Sequence, residues 1–414
     1  MPTLPAPAVT RRQLAGVAMG NALEVYDFLT FTFFALSIGH AFFPSDDPTA
    51  SLLASLATFG VGFVARPLGA VVLGRLGDRA GRRPAMLTSF ALMGIASLGL
   101  SLTPGHAHIW IAAPALAILF RLLQGFALGG EIGSSTAFLA EAAPPGRRGR
   151  WIALQYLGQG LAVLAAGLVG IVLAAVFDAA TLASVGWRIA IGLGVLTVPI
   201  GLALRGSLHE TLHAEVAAGP APPLRAYAGI ATFAFATIVF GTIATYVTNY
   251  VPTFAQATLG MSPALSFGAT IAIGTGASLG AVVEGELADR IGRRPVMIGA
   301  ALVLLATGVP GFVWLTRAPE ATTLYAVGFV VRFAMAVALT TTSIVAVEGL
   351  PQRVRSGAFA ILYATAVAVF GGSTQFVVAW LVAVTGDPLM PAWYMSAATL
   401  VGLAAMLSLP KERT

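Results

Sequence analysis

No cysteine occurs anywhere in the chain, which excludes disulfides, thiolate metal sites and a cysteine nucleophile. Charge is almost as scarce. Asp, Glu, Lys and Arg make up 10% of the 414 residues, against roughly 25% in soluble domains, so the chain cannot cover itself with polar surface. Walker loops, metal-ligand clusters and nucleophile elbows are absent as well. His106 and His108 offer two ligands, too few for a metal site. An enzyme is therefore not expected, nor any cofactor, and any work must draw on an ion or substrate gradient. What is abundant is apolar sequence, 57% of all residues. Segments near 20 residues recur, each long enough to cross a ~30 Å hydrocarbon core at about 1.5 Å per residue.

Apolar runs and their turn punctuation predict twelve membrane helices, near 13–40, 50–74, 85–103, 109–140, 151–177, 187–205, 226–253, 264–288, 295–316, 322–349, 356–384 and 392–409. Arg11-Arg12 ahead of the first run has the look of a twin-arginine signal. That run carries Glu24 and Asp27 and no small-residue cleavage site, so it reads as a retained first span. The longest polar interruption, 206–225, divides the chain into an N-terminal part (1–205) and a C-terminal part (226–414). With the N-terminus inside, eighteen of the 23 Lys and Arg residues fall on the inner side, two on the outer and three within spans. Both termini are thus expected to be cytoplasmic. The net charge of +6 then reports topology and attraction to anionic lipid heads, and no nucleic-acid partner is implied.

The segment Gly74–Pro84, GRLGDRAGRRP, returns at Gly285–Pro295 as GELADRIGRRP, about half the chain later. Such an internal repeat marks two homologous halves. Six plus six helices with this pair of segments resemble the major facilitator superfamily. GNALEVYDF (20–28), GFVARPLGA (62–70), RLLQGFALGGE (121–131), AEAAPPGRRG (140–149) and GWRIAI (186–191) narrow the resemblance to its metabolite–proton symporters. TYVTNYVPTF (245–254), VWLTRAPE (313–320) and AVFGGSTQ (368–375) are similar to bacterial citrate–proton symporters. The resemblance implies an all-α fold of two six-helix bundles and import of an organic acid anion with protons by alternating access. It also implies a monomer in the bacterial inner membrane. Importers of zwitterionic osmolytes or shikimate-like monoacids belong to the same branch. A drug–proton antiporter fits less well, since GQGLAVLAAGLVG (158–170) lacks the proline usual in exporters.

A charge at the bilayer centre costs about 2.5–3.5 kcal/mol on insertion scales and so marks function or pairing. Asn21, Glu24 and Phe28 share a face of the first helix, with Tyr26 and Asp27 beside them. Two carboxylates this close in low dielectric resist ionising together, which suits proton coupling; the bland alternative is a fixed pair with Arg66. Arg121, Gln124, Leu128, Glu131 and Ser135 form one stripe, which the resemblance places on the central cavity. Arg121 can bind a carboxylate bidentately, or it can be neutralised by Glu131 or a first-helix carboxylate. Glu131 is a further proton-carrier candidate. Arg66-Pro67 is expected to be structural. Gln155, Gln159, Tyr246, Asn249, Tyr250 and Arg332 complete the substrate candidates, with Arg121 and Arg332 bracketing the anion. Arg332 departs from the citrate-symporter pattern, which leaves the acid itself open. The resemblance further implies that Asp78, Arg79, Arg82, Glu141, Asp289, Arg290, Arg293 and Glu348 form the cytoplasmic gate. Glu284 and Glu286 are expected to be exposed.

Overall fold

The computed structural model describes residues 11–80, 82–129, 147–196, 227–351 and 355–408, with a few isolated positions between them. Every regular element among these residues is a helix. Lipid offers backbone amides no partners, so apolar runs of this length must satisfy their hydrogen bonds internally. The N-terminal half comprises α1 (Arg11–Phe33), α2 (Ala35–Phe42), α3 (Pro48–Val64), α4 (Arg66–Ala80), α5 (Arg82–Leu102), α6 (Ala112–Leu128), α7 (Arg148–Val176) and α8 (Trp187–Gly192). The C-terminal half comprises α9 (Ala228–Ala257), α10 (Pro263–Ile291), α11 (Arg293–Arg317), α12 (Ala321–Gly349), α13 (Arg355–Ala366), α14 (Gly372–Thr385) and α15 (Met390–Ser408).

Nine helical stretches among the described residues are long and apolar enough to span a membrane. The pair α1–α2, bent by 65°, makes a tenth if taken as one span, and the shorter apolar helices Leu87–Leu102 and Ala112–Leu128 lie where two further spans are expected. Starts and breaks follow local chemistry. Asp47 caps α3, its Oδ1 accepting from Thr49 N at 2.8 Å, with Pro48 opening the helix. The second span is interrupted at Ala65, just before Arg66-Pro67, where proline removes a helical donor.

The repeated segment is mostly helix, not the loop its Gly and Arg content suggests. In the second copy α10 runs to Ile291 and α11 resumes at Arg293, so the break is Gly292 alone, at φ +87°. Only glycine takes that backbone conformation without strain. The expected divider 206–225 lies, up to residue 224, outside the described residues.

The halves meet along two seams of small residues. On α7 and α10, Gly160 packs on Ser278, Gly167 on Ile271 and Gly274 on Leu164; a Cβ at Gly274 would sit 2.3 Å from the Leu164 amide nitrogen. On α3 and α14, a Cβ at Gly60 would sit 2.4 Å from the Gly372 carbonyl oxygen. Glycines at these positions let helix backbones touch, which is how membrane helices gain packing energy.

Candidate functional site

Between the halves lies a small cavity of about 50 Å³. Its polar lining is Asn21 and Glu24 from α1, Arg66 from α4, Gln159 from α7, Thr245, Tyr246 and Asn249 from α9, Arg332 from α12 and Tyr363 from α13. Phe28, Leu29, Leu128 and Val163 add apolar walls. Seven of the expected site residues thus meet here: Asn21, Glu24, Gln159, Tyr246, Asn249, Arg332 and Arg66.

Arg66, expected to be structural, is the N-terminal half's cavity cation. Its guanidinium stacks on Phe28 and Phe63, 4.5 and 4.3 Å from the ring centroids. Cation–π contact steadies the charge without neutralising it. Arg332, 4% exposed, donates from Nη1 to Thr248 Oγ1 at 3.1 Å and to the Thr245 carbonyl at 3.4 Å. Both acceptors are neutral. Several cavity groups are buried without a hydrogen-bond partner in the protein: Asn21 Oδ1, Arg66 Nε, Arg332 Nε and both polar atoms of the Asn249 amide. Each such group costs about 1–3 kcal/mol if left unsatisfied, so their convergence on one space marks a site for a polar ligand.

Arg121 is a correction. It does not line the cavity but lies behind Phe28, fully buried among the rings of Phe28, Phe31 and Phe59 at 4.2, 4.7 and 4.9 Å. Its Nη1 donates to Gln124 Oε1 at 2.8 Å and to the Phe28 carbonyl at 3.3 Å, and its Nη2 to the Phe59 carbonyl at 3.4 Å. The cause is close approach of α3 and α6: a Cβ at Gly125 would fall 1.5 Å from the Gly62 carbonyl oxygen. Gln124 also leaves the substrate list. It relays Arg121 to Asp27, its Nε2 donating to Asp27 Oδ2 at 3.0 Å, while Ser97 Oγ donates to Asp27 Oδ1 at 2.5 Å. Asp27 is therefore held by two neutral donors and not by Arg66. Tyr26 donates to the Ala190 carbonyl at 2.9 Å, tying α1 to α8. Gln155 is buried one turn from Gln159, and Tyr250 packs on Phe254 at 6.3 Å; neither lines the cavity.

Contacts between the halves flank the cavity on both sides. At the end carrying the repeated segments, Asp289 accepts from Gly149 N at 3.1 Å and Arg150 N at 3.3 Å. This is N-terminal capping of α7 by a carboxylate of the other half. Arg150 and Arg290 both pair with Glu286, at 2.7 and 2.5 Å. Arg79 is exposed. Glu131 and Glu141, and the side chains of Asp78, Arg82 and Glu348, lie outside the described set, and Arg293 opens α11. Glu284 is a second correction: it is fully buried and accepts from the Thr341 hydroxyl of α12, because its face of α10 turns into the bundle. At the opposite end, Phe34 meets Phe267 at 4.9 Å and Thr253 Oγ1 donates to the Thr32 carbonyl at 3.0 Å. Gln375 bridges the Thr32 hydroxyl and the Tyr246 carbonyl.

Sequence reasoning missed Thr245, Thr248, Tyr363 and Ser97. Thr245 stands four residues before Asn249, so helical spacing alone would have placed it on the same face. No comparable local signal marks Ser97 or Tyr363.

The family model described as the Major Facilitator Superfamily matches residues 18–371. A citrate-proton symporter of Salmonella typhi is 37% identical over 418 residues, covering 96% of this chain and 94% of that protein. An alpha-ketoglutarate permease of Escherichia coli K12 is 33% identical, covering 97% and 95%. A proline/betaine transporter of Salmonella typhimurium is 31% identical, covering 96% and 83%. The crystal structure of a D-xylose-proton symporter superposes with a TM-score of 0.78 over 97% of this chain and 98% of that one; at 19% identity the likeness is one of fold. The chain belongs to the major facilitator superfamily: it is a multi-pass membrane transporter, not an enzyme, and needs no cofactor.

Proposed function

We propose that the protein is a proton-coupled symporter of the bacterial inner membrane, termini cytoplasmic, importing a citrate-like di- or tricarboxylate by alternating access. The observation that carries this reading is a pair of buried guanidiniums, one from each half, in a single central cavity. Arg66 and Arg332 have no carboxylate hydrogen-bonded to them among the described residues. Two buried cations held by rings and neutral oxygens are poised for an anion, which forms charge-assisted, forked hydrogen bonds there. Sites at the interface of the repeats are the rule in secondary transporters. Relatives named for citrate and alpha-ketoglutarate support the acid.

Proton coupling is assigned to the α1 carboxylates. Glu24 shares the cavity with Arg66 and Arg332, so adding a proton to it raises the cavity's positive charge and favours the anion. Asp27, one turn away, links α1 to α5 and α6 through Ser97 and Gln124. The contacts of Asp289 and Glu286 with α7 then form one gate, which breaks as the halves rock. In proteoliposomes with an inward proton gradient, Asp27→Asn is expected to abolish concentrative citrate uptake. Normal accumulation by that variant would remove Asp27 from the coupling mechanism.

A second reading, import of a zwitterionic osmolyte, is favoured by the rings of Phe28, Tyr246 and Tyr363, which line the same cavity as Glu24. Aromatic faces attract quaternary ammonium groups, and a proline/betaine transporter is among the relatives. A thermal-shift panel of citrate, tricarballylate, 2-oxoglutarate, shikimate and betaine separates the two. Stabilisation by betaine alone would replace the acid reading.

A further inference from the structure

We infer that Arg332 makes this transporter selective for substrates with at least two carboxylates, one held by Arg66 of the N-terminal half and the other by Arg332 of the C-terminal half. The inference rests on the reading of the protein as an organic-anion symporter and deepens it.

Three observations lead there. First, the two guanidiniums approach one cavity from different halves, α4 and α12. Second, the groups in direct contact with each are neutral: two phenyl rings for Arg66, the Thr248 hydroxyl and the Thr245 carbonyl for Arg332. Third, both Nε donors are buried and unpartnered within the protein. A monocarboxylate can satisfy only one such fork. The other would stay dehydrated and unpaired, a penalty that rejects ligands lacking the second group far more sharply than shape does. A substrate with carboxylates at both ends satisfies both forks and ties the halves together through itself, which stabilises the arrangement in which they are closest. Thr248 is a positioning residue here, since it holds the Arg332 fork without itself lining the cavity.

The test compares wild type with Arg332→Gln, Arg332→Lys and Thr248→Val, purified in detergent and titrated by thermal shift with succinate, tricarballylate and citrate against propionate and butyrate. Proteoliposome counterflow of the bound acids is measured in parallel. In Arg332→Gln, affinity for the di- and tricarboxylates is expected to fall about 10- to 100-fold while that for the monocarboxylates changes by less than about threefold, the loss of one charge-assisted fork. Arg332→Lys should recover part of the preference, and Thr248→Val should weaken it while keeping the charge. Parallel losses for both acid classes in a variant that still melts cooperatively would overturn the inference, as would an unchanged preference. If wild type binds no carboxylate of either class, the symporter reading itself fails, and this inference with it.

Discussion

Gly194 shows how tightly one residue can control a buried charge. It lies at a helical turn against α1, and a Cβ built on it would come within 2.0 Å of Asp27 Oδ1. The Asp27 carboxylate is already committed to Ser97 and Gln124, so it cannot swing aside without losing a bond in a dry interior. Gly194→Ala is therefore expected to destabilise the protein by about 1–3 kcal/mol, the usual cost of overpacking. It should also depress proton-driven uptake. Cooperative melting in detergent and uptake in vesicles measure the two effects; an alanine variant indistinguishable from wild type in both would show that Asp27 has room to move. Arg121 carries the same lesson in the opposite sense. Helical spacing placed it on the right helix and in line with Gln124. Its burial among three phenyl rings depends on α1 and α3, whose approach no local pattern in α6 records.

Among elements, α8 is the middle of a continuous apolar span, Ala179–Leu196, and two adjacent side chains at its start tie it to its neighbours. Arg188 Nη1 donates to the carbonyls of Ser101 and Thr103 at 2.9 and 2.5 Å, capping the C-terminus of α5, while its guanidinium lies 4.2 Å from the centre of the Trp187 ring. Trp187 is itself fully buried against Phe42 at 5.3 Å. A cation at a helix C-terminus complements its exposed carbonyls. Arg188→Ala is expected to cost about 1–3 kcal/mol through the two lost bonds, read as a lower melting temperature with substrate affinity unchanged. Arg188→Lys should restore only part, because one ammonium cannot both stack on indole and serve two carbonyls as the planar group does. Equal melting temperatures for wild type and Arg188→Ala would show that the cap is dispensable.

For the molecule as a whole, the relevant balance is between contacts on either side of the cavity. At the end with the repeated segments, Asp289 joins the two halves by accepting hydrogen bonds from two amides at the start of α7. Asp289→Asn keeps the shape but removes the charge that the α7 N-terminus favours, about 0.3–1 kcal/mol or more where partly buried. It is expected to shift the population toward an opening at that end, slowing turnover while leaving substrate binding largely intact. The absence of native cysteine makes this directly measurable. A cysteine at Thr245, on the cavity wall, should react faster with an impermeant maleimide from that side in the Asp289→Asn background. An unchanged labelling rate would mean that the Asp289 cap does not hold the gate.

By itself the sequence determined the class of the protein, because solvent forces it. A chain with so little charge and twelve apolar runs has only lipid to live in, and lipid permits only helices. The repeat announced two related halves, while the break before Arg66-Pro67 falls inside a stretch, 50–74, that the apolar pattern reads as one helix. Polar and charged side chains inside the spans pointed to Asn21, Glu24, Asn249 and Arg332 for the same reason: each is costly to keep without a partner. Tertiary structure alone decided which of those charges face one another. Whether Arg66 or Arg121 reaches the cavity, whether Glu284 is exposed or buried, and which helix Asp289 caps all depend on how far each helix is rotated and how closely two backbones approach. Glycine contacts between helices distant in the chain set those quantities. They are properties of pairs of helices, and a single helix carries no record of them.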